Sequence, residues 1–123
     1  MMNMPCRDIL VVEDDLDLSD SLRDALEDEG YRVATAHNGR EGLDALRRQG
    51  RHPCVVLLDL MMPVMNGWQF LEVKGHEGEL APIPVVVVSA CSERASLARE
   101  TAGFIPKPID IEQLLALVHR FCR

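Results

Sequence analysis

The sequence predicts an α/β domain built on a five-stranded parallel sheet with helices on both faces, a doubly wound arrangement. Three observations carry that expectation. Short, wholly apolar runs recur at Ile9-Leu10-Val11-Val12, Val55-Val56-Leu57-Leu58 and Val85-Val86-Val87-Val88, and strands without polar alternation are buried on both sides. Stretches with apolar residues at helical spacing separate these runs. The resulting strand–helix alternation occurs five times without a repeat, linker or low-complexity segment, and such alternation calls for parallel strands joined by crossover helices.

Taken in order, Ile9-Leu10-Val11-Val12 is the first strand and ends in Glu13-Asp14-Asp15. Leu18, Leu22, Ala25 and Leu26 share one helical face, and Gly30 is a natural C′ residue. Tyr31-Arg32-Val33-Ala34-Thr35-Ala36 alternates in part and reads as a more exposed second strand. Asn38 is the expected N-cap of the next helix, with Glu41 at the reciprocal capping-box position. That helix turns Leu43 and Leu46 inward and ends at Gly50. The third strand stops abruptly at Asp59, and Pro63 and Asn66-Gly67 mark a loop. A helix from about Asn66 carries Trp68, Phe70, Leu71 and Val73 and weakens toward Gly75 and Gly78.

Residues 82–88 form the fourth strand, with Ser89 at its C-terminal end. Ser92 caps a short helix over residues 93 to about 101. Residues 103–108 read as a fifth strand, and its internal Pro106 points to a sheet edge, where a missing N–H is harmless. Asp110 and Gln113 form the capping box of a last helix whose inner face is Ile111, Leu114, Leu115, Val118 and Phe121. Five strands in this length fit the flavodoxin-like order 2-1-3-4-5.

The 123 residues suit one domain, with a core from about residue 7 and residues 1–6 as an N-terminal extension. With 47% hydrophobic and 27% charged residues the chain is globular, not disordered. The net charge of −7 and the lack of a basic stripe speak against direct nucleic-acid binding. Cys6, Cys54, Cys91 and Cys122 share no metal-like spacing, so they are expected to be thiols in a reducing compartment. No apolar stretch approaches the about 18 residues of a membrane span, and a cytoplasmic location follows as the expectation.

In the order 2-1-3-4-5 the first and third strands are neighbours, and ligands gather at the carboxyl ends of such strands. Glu13, Asp14 and more marginally Asp15 then lie beside Asp59. Crowded carboxylates repel unless a cation neutralises them, and an all-oxygen set suits Mg²⁺. Ser89 and Lys107 reach the same rim from the fourth and fifth strands. A hydroxyl, an ammonium and a metal can together hold the equatorial oxygens of a transferring phosphoryl group, and an ionised carboxylate can act as its nucleophile.

Four segments, Ile-Leu-Val-Val-Glu-Asp-Asp, Leu-Leu-Asp-Leu-Met-Met-Pro-Val-Met-Asn-Gly, Val-Val-Val-Val-Ser-Ala and Ile-Pro-Lys-Pro, resemble the receiver domain of bacterial response regulators over nearly the whole chain. The resemblance implies that Asp59 accepts a phosphoryl group from a histidine kinase or phosphotransfer protein. It implies Glu13, Asp14 and Asp59 as the carboxylates of the Mg²⁺ site (Mn²⁺ may stand in), with Asp14 ranked ahead of Glu13 as a direct ligand and the Met61 carbonyl a further oxygen. Ser89 matches the switch hydroxyl, Lys107 the phosphate-contacting lysine and Phe104 the aromatic switch position, and the Lys107–Pro108 bond is expected to be cis. Phosphorylation would draw Ser89 inward and let Phe104 follow, changing the face made by the fourth helix, fifth strand and last helix.

The family reading makes the chain a regulatory phosphoacceptor, not an enzyme, acting by contact with a downstream protein as a monomer or weak homodimer. The segment between Ser89 and Lys107 is shorter than a typical receiver's by about one helical turn, and uncharged Met61 and Cys91 point to a long-lived phosphoform. A receiver segment of a hybrid kinase or larger regulator is the alternative. An Asp-nucleophile phosphohydrolase lacks its second acid, since Met61 stands there. A flavodoxin-like FMN module would need a donor-rich loop where Glu13-Asp14-Asp15 repel phosphate.

Overall fold

A computed structural model describes residues 6–48, 52–90 and 101–122. The elements are β1 (Asp8–Val12), α1 (Leu16–Asp28), β2 (Arg32–Ala36), α2 (Gly39–Arg47), β3 (Val55–Leu58), α3 (Gly67–Gly75), β4 (Val85–Ser89), β5 (Gly103–Pro106) and α4 (Ile111–Phe121). The sheet has the order β2-β1-β3-β4-β5 with every pairing parallel, as expected. The expected helix after Ser92 and the expected stop at Gly50 lie outside the described residues.

Alternate strand residues feed two cores, one on each face. Leu10, Val12, Val56, Leu58, Val85 and Val87 pack with Leu43 and Leu46 of α2 and Phe70 of α3. Ile9, Val11, Val55, Leu57, Val86, Val88 and Ile105 pack with Leu22 and Leu26 of α1 and with Leu114 and Val118 of α4. This double burial explains why β1, β3 and β4 carry unbroken apolar runs, whereas the edge strand β2 keeps only Ala36 fully buried.

Local chemistry sets the boundaries, with several departures from expectation. Asp15 and Asn38 cap α1 and α2. Glu41, however, reaches back to the His37 N–H (3.1 Å) and not to that of Asn38. Asn66 and Gln69 form a full capping box at α3, unanticipated from the sequence. Asp110 accepts from Glu112 and Gln113 N–H, but Gln113 does not return the bond. The fourth strand begins at Val85, after Pro84, because prolines cannot donate to a ladder. On α4 the buried seam is Leu114, Val118 and Cys122, while Ile111 is exposed.

The cysteine expectation needs correction: Cys54 and Cys122 form a disulfide across 68 residues of chain. The last helix runs back along the sheet, so the C-terminal end of α4 returns to the N-terminal end of β3, where Cys54 sits. Inspection of local spacing cannot detect such a pair. Cys6 remains a free thiol.

Two glycines bring backbone segments together below the rim. Gly67 N–H donates to the Leu60 carbonyl at 2.9 Å, and Gly39 N–H to that of Met65 at 2.8 Å. A Cβ on Gly67 would stand 2.6 Å from the Asp59 carbonyl oxygen and 2.7 Å from the Leu60 Cα. Gly67→Ala is therefore expected to destabilise the fold by about 1–3 kcal/mol through overpacking. Gly75, with nothing within 4 Å, provides the contrast: Gly75→Ala should be neutral or stabilise by up to about 1 kcal/mol. Urea midpoints measure both, and equal midpoints for the two variants would contradict the packing argument.

Candidate functional site

The sheet ladders continue past the strands and deliver the first acids to the rim. The Glu13 N–H donates to the Ala36 carbonyl at 2.9 Å, and the Asp59 N–H to the Val12 carbonyl at 3.0 Å. Glu13 and Asp59 are thus fixed by the same hydrogen bonds that hold β1 between β2 and β3. Ser89 ends β4 and is buried, and its carbonyl accepts from the Lys107 N–H at 3.1 Å. These residues, with Asp14, Asp15, Met61 and Ala90, line one cleft of about 540 Å³.

Within the cleft, one carboxylate oxygen each from Glu13, Asp14 and Asp59 lies within 4.8 Å of the others. Glu13 and Asp59 are buried and Asp14 is exposed. Lys107 Nζ stands 2.9 Å from Glu13 Oε1 and 3.4 Å from Asp59 Oδ2. The Met61 N–H is 3.4 Å from Asp59 Oδ1. Asp15 also lines the cleft but is engaged elsewhere: its Oδ1 accepts from the Leu18 N–H at 3.1 Å, capping α1. Its own N–H donates to Glu13 Oε2 at 3.1 Å.

Burial dominates the charge state of Glu13 and pushes its carboxyl up to about 7, against the pull of Lys107 and the Asp15 N–H. Burial alone would lower the Lys107 ammonium, but its hydrogen bond to Glu13 and the nearby charge of Asp59 outweigh that and hold it above the ordinary lysine value. Among the described residues, two buried acids and an exposed one share a single ammonium. An oxygen-only set of this size, open to water on the Asp14 side, has the chemistry of a Mg²⁺ site that keeps several waters.

The sequence profile of the response regulator receiver domain matches residues 9–119. The chain belongs to this receiver family. It is 38% identical over 122 residues to the response regulator MprA of Mycolicibacterium vanbaalenii, covering 98% of this chain and 52% of that protein. It is 35% identical to a 14.6 kDa protein in the sodA1 3′ region of Leptolyngbya boryana, covering 99% of this chain and 95% of that one. The receiver also resembles the chemotaxis response regulator CheY4 of Vibrio cholerae, with a TM-score of 0.82 at 27% identity over 94% of this chain and 98% of that one. It spans about half the length of the MprA proteins it matches. The chain is a receiver domain of two-component signalling, and no helix among the described residues is long and apolar enough to cross a membrane.

The remaining expected positions of this receiver fall as follows. Phe104 lies on β5 beside Val87, half-buried against the α2–α3 core. The Lys107–Pro108 bond is cis. Cys91 lies outside the described residues. Met61 and Val64 are exposed on the loop after β3, and Val64 adopts φ 68°, where the Met65 N–H donates to the Pro63 carbonyl at 2.7 Å. A β-branched residue in the left-handed region is strained, and nothing in the sequence signals it. The buried Lys74, whose Nζ donates to the Ala81 carbonyl at 2.9 Å, was equally unforeseen.

Glu13 gives the receiver a pH signature. Its folded-state value of about 7 exceeds the ordinary 4.5, so the folded protein holds more protons than the unfolded chain between those values. Metal-free stability from this group should therefore fall as pH rises through that window. In EDTA, urea midpoints of the wild type should drop more steeply toward pH 7 than those of Glu13→Gln. Parallel profiles would contradict the assignment.

Proposed function

We propose that the receiver accepts a phosphoryl group on Asp59 in a Mg²⁺-dependent reaction and signals its state through protein contact. The observation that carries the reading is the convergence of Glu13, Asp14, Asp59 and Lys107 in one cleft. Asp14, Asp59 and the Met61 carbonyl would hold the cation, with Glu13 orienting the set. When bound, the metal supplies charge neutralisation for the incoming phosphoryl oxygens.

Asp59 Oδ attacks the phosphorus of a phosphohistidine on a histidine kinase or phosphotransfer protein, and the histidine nitrogen leaves with the bonding pair. Lys107, already drawn toward Asp59, stabilises the added negative charge. Ser89 donates its hydroxyl hydrogen to a phosphoryl oxygen, and Phe104 turns into the space this opens beside β4. The phosphoryl contributes about −1.5 to −2 charge. The face of β5 and α4 is thereby biased toward a second state that a downstream protein reads. The reading is regulatory and cytoplasmic, for a free-standing receiver or for the receiver part of a larger regulator.

Incubation with acetyl phosphate and Mg²⁺ tests the reading by intact mass. One phosphoryl adduct is expected on the wild type and none on Asp59→Ala or without Mg²⁺. With uncharged Met61 at the cleft, the adduct should outlast many minutes after donor removal. An adduct that persists in Asp59→Ala contradicts the site, and loss within seconds contradicts the long-lived phosphoform.

A further inference from the structure

The N-terminal end of the central strands, opposite the acidic cleft, carries separate chemistry. Cys54, immediately before β3, is joined to Cys122, the C-cap residue of α4, with 5.5 Å between their Cα atoms. Cys122 is 2% exposed and continues the buried seam of Leu114 and Val118, whereas Cys54 is only partly covered. The bond ties the far end of the last helix to the central strand. At its other end the same helix is capped by Asp110, three residues after Lys107 of the cleft. Near the bonded end, Tyr31 Oη and His119 Nδ1 also meet, at a long 3.5 Å.

We propose that Cys54–Cys122 is a reversible redox site, a dithiol–disulfide pair whose state sets how firmly α4 is held on the sheet. Its reactant class is a thiol–disulfide couple of the glutathione type. Both states suit the fold, because a reduced Cys122 behaves as a small apolar group in an apolar seam. Exposure sets the direction of attack. A thiolate of the couple reaches Cys54 Sγ, the S–S bond breaks, and Cys122 leaves as a thiolate and takes up a proton. A second thiol then displaces Cys54 from the mixed disulfide. The protein gains two electrons and two protons, and the couple is left as its disulfide. Closure is the reverse, with oxidised glutathione as the electron acceptor. None of these steps requires the phosphoryl chemistry.

Among the described residues, the free thiol Cys6, with Sγ 3.7 Å from the His52 carbonyl, is the rival partner for Cys54. The test equilibrates the full chain in glutathione buffers running from reduced to oxidised; one portion is acid-quenched, denatured and alkylated for intact mass and peptide mapping, and a second goes directly to hydrogen exchange. At the oxidised end two of the four cysteines should resist alkylation, with a peptide linking Cys54 to Cys122, and excess reduced glutathione should restore all four. Amides in the last turn of α4 should exchange roughly tenfold or more faster in the reduced protein. Cys54→Ala should show that faster rate in every buffer. Four alkylatable cysteines throughout, a Cys6–Cys54 link, a bond that native-state reduction cannot open, or unchanged exchange in α4 would each overturn the proposal.

Discussion

Crowded negative charge at the carboxyl ends of the central strands is the constraint on which the rest of the structure depends. Glu13 and Asp59 are nearly inaccessible to water and, among the described residues, have one ammonium, Lys107, between them. Desolvating a carboxylate without full compensation is expensive. The fold tolerates it because the acids are pinned by ladder hydrogen bonds that the sheet needs in any case. A cation would relieve the crowding, and the proposed phosphoryl transfer would draw on the same neutralisation. Burial, repulsion and function are thus aspects of one arrangement.

The surroundings keep that arrangement in register. The loop after β3 is folded down against its own strand where Gly67 meets the Asp59 and Leu60 backbone, and Gly39 receives the loop's other side at Met65. The Asn66–Gln69 capping box then starts α3 at a fixed point. On the far side, Lys107 is placed by its N–H bond to the Ser89 carbonyl and lies between the edge strand and the last helix. A change in what Lys107 and Ser89 hold is therefore mechanically close to α4, the helix that the Cys54–Cys122 bond anchors at its opposite end.

Much of this was legible in the sequence, for identifiable reasons. Buried parallel strands cannot alternate, so β1, β3 and β4 announced themselves, and Pro106 correctly marked β5 as an edge. Parallel order then brought Glu13, Asp14, Asp59, Ser89 and Lys107 to one rim without further assumption. What the sequence hid depends on tertiary approach. The Cys54–Cys122 bond joins residues that only the return of the last helix makes neighbours, and the Glu41 side chain chose the His37 N–H over that of Asn38. Asp15 looked like a third member of an acidic cluster, but a helix N-terminus claimed its carboxylate. The left-handed Val64 and the buried Lys74 run against the preferences of their residue types, so pattern reading had no purchase on them.

The central claim is that one specific carboxylate, Asp59, carries the phosphoryl group. Borohydride reduction of the phosphorylated protein, followed by peptide mass mapping, tests it most directly, because an acyl phosphate is converted to the corresponding alcohol where it formed. The account predicts that Asp59, and no other acid in the chain, is reduced to homoserine. A reduced side chain at Glu13 or Asp14, or a phosphoprotein that yields no reduced carboxyl, would contradict it.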